Sequence, residues 1–182
     1  MHEHIAELGW EATVVAGGDR RQESVERGLE AAVSNAPDCT HVLIHDAARP
    51  FLSEVLLQRV SAAVHRSGAA TIALPVSDTL MRARAAQGEA PEYAEELVDR
   101  GGMWAMQTPQ AFAIDVIRRA HAQARGGDVQ ATDDCSLVLA LGENVEFVRG
   151  AWWNIKITER EDWERARVIM TIRRLRHVDF PA

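Results

Sequence analysis

Short runs of β-branched and other apolar residues alternate along this chain with longer stretches of helical period. That alternation limits the fold more than any other feature. Thr13-Val14-Val15-Ala16 reads as a strand that breaks at Gly17-Gly18-Asp19, after which Val25, Leu29, Ala32 and Val33 recur on one face of a helix. Val42-Leu43-Ile44 runs into His45, Asp46 and Arg49 and reads as a central, buried strand. Ser53 predicts the N-cap of a helix with Leu56, Val60, Ala63 and Val64 inward; Gly68 ends it, and Ala70–Val76 forms the next strand. Farther on, Met103–Gln107 reads as a strand ending at Thr108-Pro109-Gln110, with a helix from Ala111 to Ala124 and another from near Thr132. Val145–Val148 reads as a strand and Glu159–Arg174 as a closing helix, N-capped by Thr158, with Trp163, Ala166, Ile169 and Met170 inward.

Strands separated by helices imply a single α/β domain over 1–182, with a parallel sheet and right-handed crossovers. The pattern fails between Asp78 and Trp104, where "RARAAQGEAPEYAEELVDRGG" is polar and holds Gly and Pro. This stretch predicts an excursion over about 79–103, either an arm of short strands that meets another subunit or a surface loop.

The totals exclude several classes. A net charge of -7 argues against a broad grip on nucleic acid or an anionic membrane, while leaving room for a local basic pocket. Two cysteines, Cys39 and Cys135, are too few for a disulfide framework and fit a reducing, cytoplasmic setting. No apolar run approaches the roughly 18–20 residues of a membrane span. No Gly-x-Ser-x-Gly elbow or dinucleotide fingerprint supports a hydrolase or a dehydrogenase.

Ligands of open parallel sheets bind where strand ends and loops converge, and polar groups recur at these ends. They are Gly18-Asp19-Arg20 with Ser24, Asp46 with Arg49, Asp78-Thr79, Thr108-Pro109-Gln110 and Asn154-Ile155-Lys156. Each alone is ordinary turn or surface chemistry; their recurrence at successive strand ends is not. Cys39, His41 and His45 alternate as on one face of a strand, but zinc needs converging elements and a fourth ligand, so His45 reads as structural. Asp133-Asp134 suits a helix start, where acids meet the macrodipole. Trp104, Trp152, Trp153 and Trp163 read as core and subunit-contact residues.

Together these stretches resemble the 2-C-methyl-D-erythritol 4-phosphate cytidylyltransferase family. The matching pieces are "GGDRRQESVERGL", "VLIHDAARPF", "PVSDTL", "VDRGGMWAMQTPQAF", "TDDCSLVLALG" and "NIKIT..ED", in the family's order and over nearly the whole chain. The resemblance implies a Rossmann-like nucleotidyltransferase sheet with a protruding arm that builds a homodimer. It implies transfer of CMP from CTP to a sugar-alcohol phosphate, with Mg²⁺ or another divalent cation. Gly18, Asp19, Ser24, Ala47 and Arg49 would hold the nucleotide; Asp46, Thr79 and Thr132 would face the sugar alcohol. Arg100, reaching across a dimer, and Lys156 would position the substrate phosphate and carry the catalytic charge. Ribitol-5-phosphate cytidylyltransferases are similar over the same motifs, although Ala48 and "TDDCSL" lean toward the methylerythritol branch.

The family opens on a strand and a Gly-rich loop with an Arg and a Lys, and no such segment stands before "ATVVAGG". The sequence therefore predicts a chain without its first strand and triphosphate loop, with exposed sheet edges and weak or no activity. A non-catalytic, dimerising fragment is the reading that follows if binding of CTP is lost as well.

Overall fold

The computed structural model describes residues 12–84, 92–125 and 133–176. Helix α1 (Arg21–Asn35) is followed by strand β1 (His41–Ile44), helix α2 (Glu54–Ser67) and strand β2 (Ala69–Pro75). A two-stranded excursion, β3 (Leu80–Ala83) and β4 (Ala94–Val98), leads to the long strand β5 (Trp104–Ala113). Helices α3 (Ile114–Arg125) and α4 (Asp134–Ala140), strand β6 (Glu146–Arg149) and helix α5 (Arg160–Arg176) complete the order.

Local signals set several of these boundaries. The Ser53 hydroxyl accepts from the Leu56 N–H, and Gly68 closes α2 in the left-handed conformation at φ 77°, which a glycine adopts without steric cost. Leu56, Val60, Ala63 and Val64 are the buried face, as their spacing requires. At the start of α5, Asp162 accepts from the N–H groups of Thr158 and Glu159 and from the Thr158 hydroxyl. The inward face of α5 is narrower than the sequence predicts: Ala166 and Ile169 are buried, whereas Trp163 and Met170 are exposed.

The main sheet runs β1-β5-β2-β6 and is mixed, not parallel. Strand β5 is antiparallel to both β1 and β2, and only β2 and β6 pair in parallel. The reason lies between Pro75 and Trp104. Among the described residues no helix crosses the sheet there, and the chain returns beside β2 in the opposite direction. Strand β5 also continues through Thr108-Pro109-Gln110 to Ala113, where the sequence predicts a helix. Thr71 faces Gln110 and Ala73 faces Met106, so the residues between them bulge. Pro109, which has no N–H to give a ladder, falls in that bulge.

Two other expectations are corrected. Thr13–Ala16 forms no strand, because no described strand lies beside it; Asn35 holds it through the Thr13 hydroxyl. Strand β1 is an edge strand among the described residues, not a central one.

The core lies on both faces of the sheet, because side chains alternate along β2 and β5. Ala70, Ile72 and Ala111 pack with α2 and α5, and Ala69 and Phe112 pack with α1, α3 and α4. The β3–β4 pair stands outside this core. Met81 and Leu97, partners in its register, are 52% and 65% exposed. Its exit is a turn in which the Met103 N–H donates to the Arg100 carbonyl, with Gly102 at φ 75° in the position that demands it.

The loop after β6 passes against β2 with almost no clearance. A Cβ on Gly150 would lie 2.4 Å from Gln107 Oε1, 2.8 Å from Ile72 Cγ2 and 3.2 Å from the Ala73 carbonyl oxygen. Gly150→Ala is expected to lower unfolding free energy by about 1–3 kcal/mol through overpacking. Urea titration checks this, and an unchanged midpoint would contradict the close approach.

Candidate active site

A cavity of about 170 Å³ opens where β1 ends, the β5 bulge begins and the loop after β6 returns. Asp46 and Arg49 line it from the loop after β1, and Met106, Gln107, Thr108 and Gln110 from β5. Arg21 at the start of α1, Asp133 at the start of α4 and Lys156 complete the wall. A larger cavity of about 600 Å³ lies between α1 and α3. Most of its charges are paired, Arg125 with Glu26 and Glu30, and Arg119 with Glu143 outside the wall. The smaller cavity is where charged groups from four separate elements converge, and we place the chemistry there.

Asp46 is the hub. Its Oδ2 lies 3.2 Å from Lys156 Nζ and 3.6 Å from Arg49 Nε. Its backbone N–H donates to the Thr108 hydroxyl at 3.0 Å. The Thr108 hydroxyl also pairs with His45 Nδ1 at 3.0 Å, and His45 Nε2–H donates to the Arg49 carbonyl. His45 is thus a structural bridge between Thr108 and Arg49. Both its nitrogens are engaged, and the described residues contain no group of three or more His, Cys, Asp or Glu placed to hold a metal.

Arg49 is turned inward, with an 11% exposed side chain. NH1 donates to the Asn154 carbonyl at 2.8 Å and NH2 to the Met106 carbonyl at 3.4 Å. Burial lowers its pKa, and the Asp46 carboxylate opposes that shift. Gln107 clamps the same region. Its Nε2 donates to the Ala151 carbonyl, and its Oε1 accepts from the Ala151 N–H and from Asn154 Nδ2. Asn154 Nδ2 also donates to the Thr108 carbonyl. Gln110 fixes the opposite wall by donating to Asp133 Oδ2 and accepting the Asp134 N–H.

The residues expected in the site divide into three groups. Asp46, Arg49 and Lys156 come together in the cavity. Gly18 and Asp19 precede α1 and Ser24 stands in its first turn; the Ser24 hydroxyl accepts the Gly18 N–H at 3.0 Å, and a Cβ on Gly18 would strike Glu23. Gly18, Asp19, Ser24, Ala47, Thr79 and Arg100 all lie outside the cavity wall, and Arg100 and Thr79 are exposed on the excursion. Thr132 lies outside the described residues.

Sequence reasoning did not assign Arg21, Met106, Gln107, Thr108, Gln110 or Asp133 to the site. Thr108 and Gln110 belong to a strand-end motif it had singled out, and that was the available signal. Asp133 does cap a helix, accepting the Ser136 N–H at 2.9 Å, but its other oxygen faces Gln110 beside the cavity. Asp134 does stand at the helix start, but it is also enclosed. It is 1% exposed, 2.8 Å from Arg21 NH1 and 3.3 Å from the buried His121 Nε2.

Beside it, Cys135 is buried, and burial followed by the Asp133 carboxylate pushes its thiol far above the ordinary range. Cys39 is exposed. Native protein at mildly alkaline pH is expected to be alkylated at Cys39 alone, with Cys135 reacting only after unfolding. Mass spectrometry of the labelled peptides reads this, and equal labelling of both would contradict the burial.

Comparison with known proteins gives the family. The family model described as 2-C-methyl-D-erythritol 4-phosphate cytidylyltransferase matches residues 2–172. A protein of that name from Pelotomaculum thermopropionicum is 43% identical over 162 residues, covering 89% of this chain and 65% of the relative. A "Bifunctional enzyme IspD/IspF" from Anaeromyxobacter dehalogenans is 46% identical over 166 residues, covering 91% of this chain and 41% of the relative. The chain thus spans less than two thirds of the length of these relatives. A solved 2-C-methyl-D-erythritol 4-phosphate cytidylyltransferase from Thermus thermophilus superposes with a TM-score of 0.75 at 42% identity, over 90% of this chain and 78% of that one. With the family model matching almost end to end, this α/β chain belongs to the 2-C-methyl-D-erythritol 4-phosphate cytidylyltransferase family.

Proposed function

We propose that the chain carries the transfer of CMP from CTP to 2-C-methyl-D-erythritol 4-phosphate, with release of pyrophosphate. The observation that carries this reading is the convergence of Lys156, Asp46 and Arg49 at the end of β1, in a chain of this family. The relatives bear methylerythritol names, which favours that acceptor over ribitol 5-phosphate.

The chemistry needs positioned charge more than a base. A phosphate monoester has a second pKa of about 6, so at neutral pH the acceptor is already a dianion. Its oxygen attacks the α-phosphorus, forming a new P–O bond as the bond to the β-phosphate oxygen breaks and pyrophosphate departs. Two anions must be brought together in line, and fixed cations lower that repulsion. Lys156, 47% exposed and steered by Asp46, is free to turn toward the acceptor phosphate. Asp46 is held by Lys156 and the buried Arg49, and serves as an acceptor for substrate hydroxyls. Mg²⁺ is usually bound by one or two carboxylates plus substrate phosphates, and Asp46 beside a triphosphate suits that set. When bound, the ion neutralises charge on the phosphates.

Arg100 enters through assembly. It is exposed on the turn after β4, away from its own chain's cavity, and the excursion displays Met81, Leu97 and Tyr93. A second copy packed on that apolar face would bring Arg100 to its partner's site, making the homodimer the working unit. Among the described residues no helix is long and apolar enough to cross a membrane, and the unpaired Cys39 suits the cytoplasm.

Pyrophosphate release with CTP, Mg²⁺ and each acceptor tests the reading. Turnover is expected with methylerythritol phosphate, and either turnover with ribitol phosphate alone or no CTP binding at all would overturn it. In an active preparation, Lys156→Ala and Arg100→Ala should each lower kcat on the order of a hundredfold, the cost of losing one transition-state donor. Near-parental kcat in either variant would remove that residue from the catalytic set.

A further inference from the structure

We propose that Arg21 is an anion-binding residue of this cavity, held there by a buried carboxylate and contacting a phosphate oxygen of a substrate. The inference deepens the cytidylyltransferase reading and rests on it for the identity of the phosphate.

The cavity wall carries three cations, and they are not equivalent. The three guanidinium nitrogens of Arg49 face inward, toward Asn154, Met106 and Asp46. Arg49 therefore braces the site. Lys156 is the first cation with donors to spare. Arg21 is the second: among the described residues its guanidinium makes one contact, NH1 to Asp134 Oδ2 at 2.8 Å. Its side chain is 38% exposed and lines the cavity, and among the described residues no other protein group takes its remaining nitrogens.

Asp134 makes this arrangement costly to explain otherwise. It is a nearly inaccessible carboxylate, and neither of its oxygens has a well-aligned hydrogen bond. A charge is buried in that way only with a counter-ion, because desolvation without one costs several kcal/mol. Arg21 supplies the counter-ion, with His121 Nε2 at 3.3 Å on the other side. NH1 is thereby fixed on a residue that lines the cavity, and the other guanidinium nitrogens are left for a ligand. A planar fork set in this way matches two oxygens of one phosphate, which a lysine does not. Arg21 is also the first residue of α1, where unpaired backbone N–H groups favour an anion.

Calorimetric binding separates the two possible sources of the phosphate. Inorganic pyrophosphate stands for the nucleotide side and 2-C-methyl-D-erythritol 4-phosphate for the acceptor side. Arg21→Gln is expected to raise Kd at least tenfold for one of them, and which one identifies the source. Because this variant strands Asp134, it is paired with the double variant Arg21→Gln/Asp134→Asn, which removes the buried charge as well. Melting temperature should fall in the single variant and recover in the double, while anion binding stays lost in both. Recovery of binding along with stability would reduce Arg21 to a structural counter-ion and overturn the proposal. Parental Kd values in Arg21→Gln, or a parent chain that binds neither anion, would overturn it too. A chain that binds pyrophosphate through Arg21 yet releases none from CTP would leave this inference standing and sink the assigned activity instead.

Discussion

A buried amide ties the bulge of β5 to the loop after β6, and the charged groups of the site depend on it. Gln107 satisfies both backbone groups of Ala151 and one amide hydrogen of Asn154. The Asn154 carbonyl in turn receives Arg49, and two residues on, Lys156 meets Asp46. The Ile157 N–H closes the circuit on the Ala48 carbonyl at 2.8 Å. Leaving one such buried group unpaired costs about 1–3 kcal/mol, so each member of the network holds its neighbours in place. Gly150 is the steric condition for it, since a side chain there would occupy the space of the Gln107 amide.

This construction separates charges that hold the site from charges that can meet a ligand. Arg49 is buried and directed at carbonyl oxygens, and an arginine tolerates that because its pKa starts far above neutrality. Lys156 and Arg21 are partly exposed, and each is aimed by a carboxylate, Asp46 for one and Asp134 for the other. Aiming a flexible cation before the ligand arrives lowers the ordering cost at binding. Beside this loop, His45 has a bracing role of the same kind. It joins the Thr108 hydroxyl to the Arg49 carbonyl and keeps the loop closed.

Much of this was legible in the sequence, for identifiable reasons. Helix α2 was readable because Ser53, Gly68 and a four-residue apolar stripe are local signals that agree. Asp46, Arg49 and Lys156 were legible as a group because each ends or follows a strand and each lies in a motif of the family. Strand β5 was misread at Pro109, since the bulge that accommodates proline depends on pairing with β2, thirty-odd positions away by the register of Thr71 with Gln110. Trp163 and Met170 were misplaced on α5 because periodicity finds an apolar face without saying how wide a neighbour covers it. Arg21 was hidden for a related reason: the acid that fixes it is 113 positions away on α4.

The sequence by itself determined the α/β class, the family and the strand-end residues around which the site is built. These follow from periodicity, capping and turn chemistry, which act over a few residues, and from motifs read in order. Tertiary structure alone decided that the sheet is mixed, which cations brace the cavity and which remain open to it. Those outcomes depend on partners brought together across the whole chain, where burial sets whether a charge is spent on the protein or left for a ligand.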